Sequence, residues 1–246
     1  LIAASVCPLD VDGRAPLDLF FPLRTVGHQT SRLYVGSQPR HWTDETRARG
    51  LDGVGDALGC LAFDADGDRD QDLLVVGVGL VQLFENRGGK FVDVSDTIDF
   101  APGPRHLYIS SAAGDFDGDG DVDVAIGGYV DLDPSHWPAD GVCRPGIPCD
   151  TDPSWSRDLP NPLLLRGDDG RWRNRAEALM GGRAGLAAPK PTLAMAAMDV
   201  DLDGAVEIMV GNDFRTRDQV LRRGVGGGLY EDVAAALQIG ISYRGF

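Results

Sequence analysis

The sequence predicts an all-β protein made of tandem four-stranded units, the kind that form the blades of a β-propeller. Three observations carry this expectation. An acidic nine-residue pattern recurs four times, an aromatic-x-Asp/Asn landmark follows each recurrence, and glycine is abundant. Glycine fills 33 of 246 positions, about twice its usual share of roughly 7%. With aromatics at only 7%, that excess argues for many tight turns rather than long helices.

The acidic segments are Asp10-Val-Asp12-Gly-Arg14-Ala-Pro-Leu-Asp18, Asp64-Ala-Asp66-Gly-Asp68-Arg-Asp70-Gln-Asp72, Asp115-Phe-Asp117-Gly-Asp119-Gly-Asp121-Val-Asp123 and Asp199-Val-Asp201-Leu-Asp203-Gly-Ala205-Val-Glu207. Acids hold positions one, three and nine of every loop. The first Asp recurs after 54, 51 and then 84 residues. The landmarks Trp42-Thr-Asp44, Phe91-Val-Asp93, Trp172-Arg-Asn174 and Tyr230-Glu-Asp232 follow at offsets of 32, 27, 57 and 31. Both measures lengthen the third unit by about 30 residues, which places one insertion near 131–161. The repeats therefore run over about 1–50, 51–104, 105–190 and 191–246.

Each unit reads as four short strands. In the second, Cys60–Phe63 enters the acidic loop and Leu73–Val78 leaves it. Val81–Glu85 and Lys90–Val94 then pair across Asn86-Arg-Gly-Gly89, a turn of residues that accept positive φ. The fourth unit repeats this with Val220–Arg222, the Gly224–Gly228 turn and Leu229–Val233. A β-solenoid would have a shorter repeat. EF-hands need amphipathic helices, and Leu73-Leu-Val-Val-Gly77 is strand-like.

Composition excludes some classes. A formal charge of −15 and a pI near 4.5 repel phosphate backbones, so nucleic acid is not an expected partner. No apolar run approaches the roughly 20 residues of a membrane span. The chain opens on Leu1 without a charged leader pattern, so any export signal would lie upstream. Cys143 and Cys149 flank a Pro/Gly-rich stretch and are expected to form a local disulfide, hence an oxidising compartment. Whether Cys7 and Cys60 are buried thiols or a second bridge is left open by the sequence.

Several carboxylates within nine residues repel one another, and a hard divalent cation removes that penalty by accepting oxygens from a curled loop. Calcium suits such an all-oxygen, flexible site, whereas zinc and copper would want imidazole or thiolate. By analogy with EF-hand loops, positions one, three, five and nine bind through side chains and position seven through its carbonyl. That assigns Asp64, Asp66, Asp68 and Asp72 with the carbonyl of Asp70. It likewise assigns Asp115, Asp117, Asp119 and Asp123 with the carbonyl of Asp121. The fourth set is Asp199, Asp201, Asp203 and Glu207 with the carbonyl of Ala205. The first loop keeps Asp10, Asp12 and Asp18, but Arg14 takes position five, where its guanidinium is expected to pair with Asp10 or Asp18. Seventeen of the 38 acids lie in these loops, and three bound Ca2+ ions would bring −15 to about −9.

These loops resemble FG-GAP/VCBS repeats, the calcium-loop blades of integrin α-chain propellers and many secreted bacterial proteins. Leu83-Phe-Glu-Asn86 through Phe91-Val-Asp-Val-Ser95, Gly128-Tyr-Val-Asp-Leu-Asp-Pro134 before a Cys-containing insert, and Val210-Gly-Asn-Asp213 are similar to the ASPIC/UnbV, cartilage-acidic-protein-like family. The resemblance implies calcium blades in a ring larger than four. The departures are Arg14 in the first loop and Arg166-Gly-Asp-Asp-Gly170 in place of an Asn-containing hairpin.

Arg166-Gly167-Asp168 spells a tripeptide that integrins read, but Gly and Asp are what such a turn needs anyway. It is expected as an exposed turn rather than a ligand. His28, His41, His106 and His136 show no metal-like spacing, and no nucleophile elbow, phosphate loop or zincin helix is present. The expected function is a calcium-binding extracellular, cell-surface or periplasmic module for adhesion to a protein or glycan partner. The insertion, with His136-Trp137, is the expected partner surface. The alternative, a secreted propeller lyase or hydrolase with structural calcium, rests on fold analogy alone.

Overall fold

The computed structural model describes residues 2–3, 5–25, 28–29, 31–132, 157–180, 188–213, 216–224 and 228–238. Cys143, Cys149, His136-Trp137 and most of the predicted insertion lie outside these, so the expected local disulfide and partner surface do too. The described chain is nearly all β, in four antiparallel four-stranded sheets that match propeller blades.

Blade 1 spans β1 (Ile2–Ala3), β2 (Cys7–Leu9), β3 (Asp18–Phe21), β4 (Leu23–Thr25), β5 (His28–Gln29), β6 (Arg32–Gln38) and β7 (His41–Asp44). Its four-stranded sheet is ordered β2-β3-β6-β7, and β1-β4-β5 form a small sheet beside it. Blade 2 is β8 (Ala57–Phe63), β9 (Asp72–Gly77), β10 (Leu80–Asn86) and β11 (Phe91–Asp93), paired in sequence. After a 3-10 turn at Ser95–Thr97 comes β12 (Ile98–Asp99). Blade 3 then uses β13 (His106–Gly114), β14 (Asp123–Asp131), β15 (Arg157–Asp158), β16 (Leu163–Arg166), β17 (Trp172–Asn174) and the short helix α1 (Ala176–Met180). Its antiparallel core is β13-β14-β16-β17, with β12 parallel on β17 and β15 on β14. Blade 4 is β18 (Thr192–Met198), β19 (Glu207–Asn212), β20 (Gln219–Gly224) and β21 (Gly228–Asp232).

Both sequence landmarks fall at one structural place per blade. Every acidic loop joins the first strand of its sheet to the second, and every aromatic-x-Asp/Asn sits on the fourth. There the acidic or amide oxygen closes a small turn. Asp44, Asp93, Asn174 and Asp232 accept the N–H of Thr46 (3.1 Å), Ser95 (2.9 Å), Ala176 (3.1 Å) and Ala234 (3.1 Å).

Alternation along the second strand sets how the blades stack. Rows of directly paired residues run Cys7–Phe20–Leu33, Leu61–Leu74–Leu83 and Ala112–Ala125–Leu163, each facing the following blade. The last pairing, Ala125 with Leu163, closes that row. The opposite rows, Ala62–Leu73–Phe84, Ala113–Val124–Leu164 and Ala197–Ile208–Leu221, face the preceding blade. Three cores result, one at each blade–blade interface. Because β9 and β14 meet a neighbour on both faces, their first six residues are all buried, the pattern of a strand inside a layered stack. The first strands β8, β13 and β18 pack on one another in turn.

A disulfide joins Cys7 on β2 to Cys60 on β8, so it staples blade 1 to blade 2 across their shared core. This decides the pairing that the sequence left open.

Candidate metal centre

Loop backbone conformation explains the glycine pattern. Position four is left-handed in all four loops: Gly13, Gly67, Gly118 and Leu202 have φ of 73°, 86°, 77° and 62°. Position six is left-handed in the last three, at Arg69 (77°), Gly120 (96°) and Gly204 (93°). Glycine adopts such angles without steric cost, but Leu202, 87% exposed, and Arg69 are strained there. The first loop has no such residue at position six and instead runs through a cis Ala15–Pro16 bond.

Within each loop the carboxylates curl the chain around themselves. Asp64 accepts the N–H of Gly67 (2.7 Å) and Arg69 (3.0 Å), and Asp115 that of Gly118 (2.6 Å) and Gly120 (3.0 Å). Asp199 likewise accepts those of Asp203 (3.1 Å) and Gly204 (3.0 Å), and Asp10 that of Gly13 (2.7 Å). Position five accepts from position seven: Asp70, Asp121 and Ala205 donate to Asp68 (2.8 Å), Asp119 (2.9 Å) and Asp203 (2.9 Å).

In the first three loops the acids that converge are those at positions one, three and nine, and in the fourth those at one, three and five. Carboxylate oxygens of Asp10, Asp12 and Asp18 lie within 4.8 Å of one another, as do those of Asp64, Asp66 and Asp72, and of Asp115, Asp117 and Asp123. In the fourth loop the grouped acids are Asp199, Asp201 and Asp203. Asp68 and Asp119 stand outside their groups, as do Asp70 and Asp121. Asp121 instead pairs with Arg166 at 3.4 Å.

Position nine has a role that spacing alone did not reveal. Asp18, Asp72 and Asp123 are buried at the start of the second strand, and each spends both oxygens on backbone. One oxygen accepts the N–H of loop position two: Val11 (2.8 Å), Ala65 (2.6 Å) and Phe116 (2.9 Å). The other accepts an N–H from the third strand: Gly36 (2.7 Å), Asn86 (2.7 Å) and Arg166 (2.9 Å). Burial pushes the Asp72 carboxyl up to about 6 and that of Asp123 to about 7, and raises Asp18 as well. Glu207 differs. One oxygen accepts from Val200 (2.9 Å), while Oε1 is buried with no partner among the described residues, and Asp199, Asp201 and Asp203 all act on the carboxylate electrostatically. Glu207 itself lies outside the group formed by Asp199, Asp201 and Asp203, but a buried carboxylate oxygen in reach of their charge adds to an all-oxygen set that fits a hard cation.

The loops also belong to the blade interfaces. Position-two residues Val11, Ala65 and Phe116 are core members against the following blade. Their carbonyls take part: Asn86 Nδ2 donates to Val11 O (3.1 Å), and the Tyr230 hydroxyl to Phe116 O. Bracing a loop therefore braces the next interface.

In the first loop the expected pairing of Arg14 with Asp10 or Asp18 is not what forms. Arg14 is 80% exposed and comes no nearer than 3.9 Å to Asp12. Arg49, from the connection after β7, takes that place. It reaches Asp12 (3.4 Å), Glu45 (2.7 Å) and the carbonyl of Gly89 in blade 2 (2.8 Å), and is 20% exposed. Position five lies too near the loop tip to turn inward, whereas Arg49 arrives from the interface side. Asp12 Oδ1 is left buried without a partner among the described residues. Changing Arg49 to Met is expected to destabilise the chain by about 1–2 kcal/mol through lost charge-assisted bonds. Urea denaturation would measure it, and Arg14→Met, tested alongside, should change stability by less than about 0.5 kcal/mol.

The tripeptide Arg166-Gly167-Asp168 forms a turn, as expected, but it is not presented as an exposed unit. The Arg166 side chain is held by Asp121 and its N–H by Asp123; only Asp168 projects into solvent.

The fold and loops define a class: a protein of stacked four-stranded blades, each with an acidic turn between its first two strands. A family profile described as an FG-GAP-like repeat matches residues 64–126, from the second acidic loop through the third. A search among curated proteins found no match. No described helix is long and apolar enough to cross a membrane, which does not bear on β-barrels.

Proposed function

We propose that the chain is a calcium-braced extracellular module whose blades present an interaction surface to a protein or glycan partner. The observation that carries the calcium part is the fourth loop, where Asp199, Asp201 and Asp203 bring carboxylate oxygens within 4.8 Å of one another and Glu207, whose charge interacts with theirs, keeps a buried Oε1 without a hydrogen-bond partner among the described residues. Positions one, three and nine of the other loops offer the same all-oxygen chemistry. The interaction role is supported by the FG-GAP-like match, and the oxidising location by the Cys7–Cys60 bridge. Assignment to the ASPIC/UnbV group within that class rests on the Leu83–Asn86 and Phe91–Ser95 segments.

A site absent from the unfolded chain turns binding energy into folding energy. Calcium in excess should therefore raise the melting temperature over that in EDTA, with affinities on the order of 10⁻⁴–10⁻³ M, as in extracellular modules. Differential scanning calorimetry with and without Ca2+ tests this, and superimposable melts would defeat the calcium reading. Magnesium at the same concentration should do less, since it tolerates irregular geometry poorly.

A further inference from the structure

The four loops do not carry equal charge. Their nine-residue segments have formal charges of −2, −4, −5 and −4 in chain order, because the first holds three acids and Arg14. Its acids are nonetheless crowded, with oxygens of Asp10, Asp12 and Asp18 as close as those grouped in the second and third loops. Carboxylates so near one another need a positive charge. Yet position five supplies no carboxylate and position six no left-handed turn, so the first loop lacks the curl of the other three. A guanidinium stands there instead. Arg49 Nη2 lies 3.4 Å from Asp12, while Nε and Nη1 donate to Glu45 (2.7 Å) and to the Gly89 carbonyl (2.8 Å). Three acceptors, one of them in the next blade, hold this 20% exposed side chain in place.

Position three meets an arginine in the fourth loop as well, but on different terms. Arg222 reaches Asp201 at 3.1 Å from within the same blade, is 38% exposed, and has that one acceptor among the described residues. A half-exposed pair of this kind is weak and yields to a competing cation. The charges that act most on Asp66 and Asp117 are other carboxylates. The first loop is also tied to blade 2 without charge. Gln71 Oε1 accepts the Asp10 N–H (2.7 Å), Asn86 Nδ2 donates to Val11 O (3.1 Å), and the Cys7–Cys60 bridge joins the two first strands.

We infer that Arg49 is the resident cation of the first loop, which takes no calcium, so that the interface between blades 1 and 2 holds without calcium while the loops after it depend on it. For those later loops this rests on the calcium binding proposed for the chain. Chelation then loosens blades 2–4 against one another and leaves blade 1 seated on blade 2.

Hydrogen exchange of the intact chain in EDTA and in about 10 mM Ca2+, above the range expected for extracellular sites, tests this. The reporters are amides bonded to loop carboxylates: Val11 and Gly13 in the first loop, Ala65 and Gly67, Phe116 and Gly118, and Val200 and Gly204 in the others. Calcium should slow the later six about tenfold and change Val11 and Gly13 by less than about twofold. Equilibrium dialysis should count one ion for each later loop, and Asp12→Asn should leave that count unchanged. Arg49→Met should speed exchange of Val11 and Gly13 in EDTA. Calcium should then slow them as it slows the others, with one more ion bound. Calcium protection of Val11 and Gly13 in the unmodified chain, or loss of one ion in Asp12→Asn, would overturn the inference while leaving the calcium reading intact. So would an Arg49→Met first loop that stays loose in calcium, since the arginine would then be a strut and not a counter-charge. If calcium slowed no reporter in the unmodified chain, the calcium reading would fall. Exchange of Arg49→Met in EDTA would still decide whether the guanidinium holds the first loop, and parental rates there would sink that too.

Discussion

Changing Asp123 to Ala is expected to destabilise the chain by about 3 kcal/mol in EDTA as well as in calcium. Asp123 is fully buried and accepts the N–H groups of Phe116, Asp117 (3.3 Å) and Arg166. Removing the carboxylate strands these donors where water cannot reach them, at roughly 1 kcal/mol or more each. Some of that loss is offset, because the carboxyl is itself penalised by burial, which pushes its pKa up to about 7. Asp117→Ala provides the contrast. Its carboxylate accepts one N–H, from Asp119, near the surface, so its loss should alter stability in EDTA by less than about 0.5 kcal/mol and act only on the calcium-dependent part. Chemical denaturation of both variants with and without Ca2+ separates the roles. Equal effects of the two in EDTA would show that position nine is merely another ligand.

Removal of the inter-blade bridge should cost about as much. The bridge between Cys7 and Cys60 spans a sequence separation of 53, and closing a loop of that length in the unfolded chain stabilises by roughly 4 kcal/mol. The Cys7→Ser/Cys60→Ser variant should lower the urea midpoint accordingly. Cys7 lies in the core between blades 1 and 2, which also contains Leu9, Phe20, Leu73 and Phe84. Weakening should therefore concentrate there, and protease should cut blade 1 before blades 2–4. A midpoint within about 0.5 kcal/mol of the parent would contradict a bridge that does more than decorate an already rigid interface.

Much of this was legible in the residues. Two landmarks placed the acidic loop between the first and second strands and the aromatic on the fourth, because a repeated unit must reuse its turn chemistry to reuse its fold. The hairpin across Asn86–Gly89 followed from residues suited to positive φ, and Gly88 and Gly89 have φ of 64° and 87°. Asn86 was readable as a turn residue but not as the buried link to Val11 in the preceding blade. Arg49 was missed because nothing near it in sequence is acidic in the loop pattern; it reaches Asp12 from 37 residues away. Arg14 was favoured by adjacency, yet adjacency in a tight turn points a side chain outward.

Local chemistry, then, was enough to determine the repeating unit. Charge spacing, glycine and alternation act over a few residues, and a tandem repeat states them several times over. What needed the tertiary structure were the relations between units: which cysteines pair, which arginine serves the first loop, and which carboxylates act as struts. Those depend on distances between residues far apart in the chain, and only the stacking of one sheet on the next sets such distances.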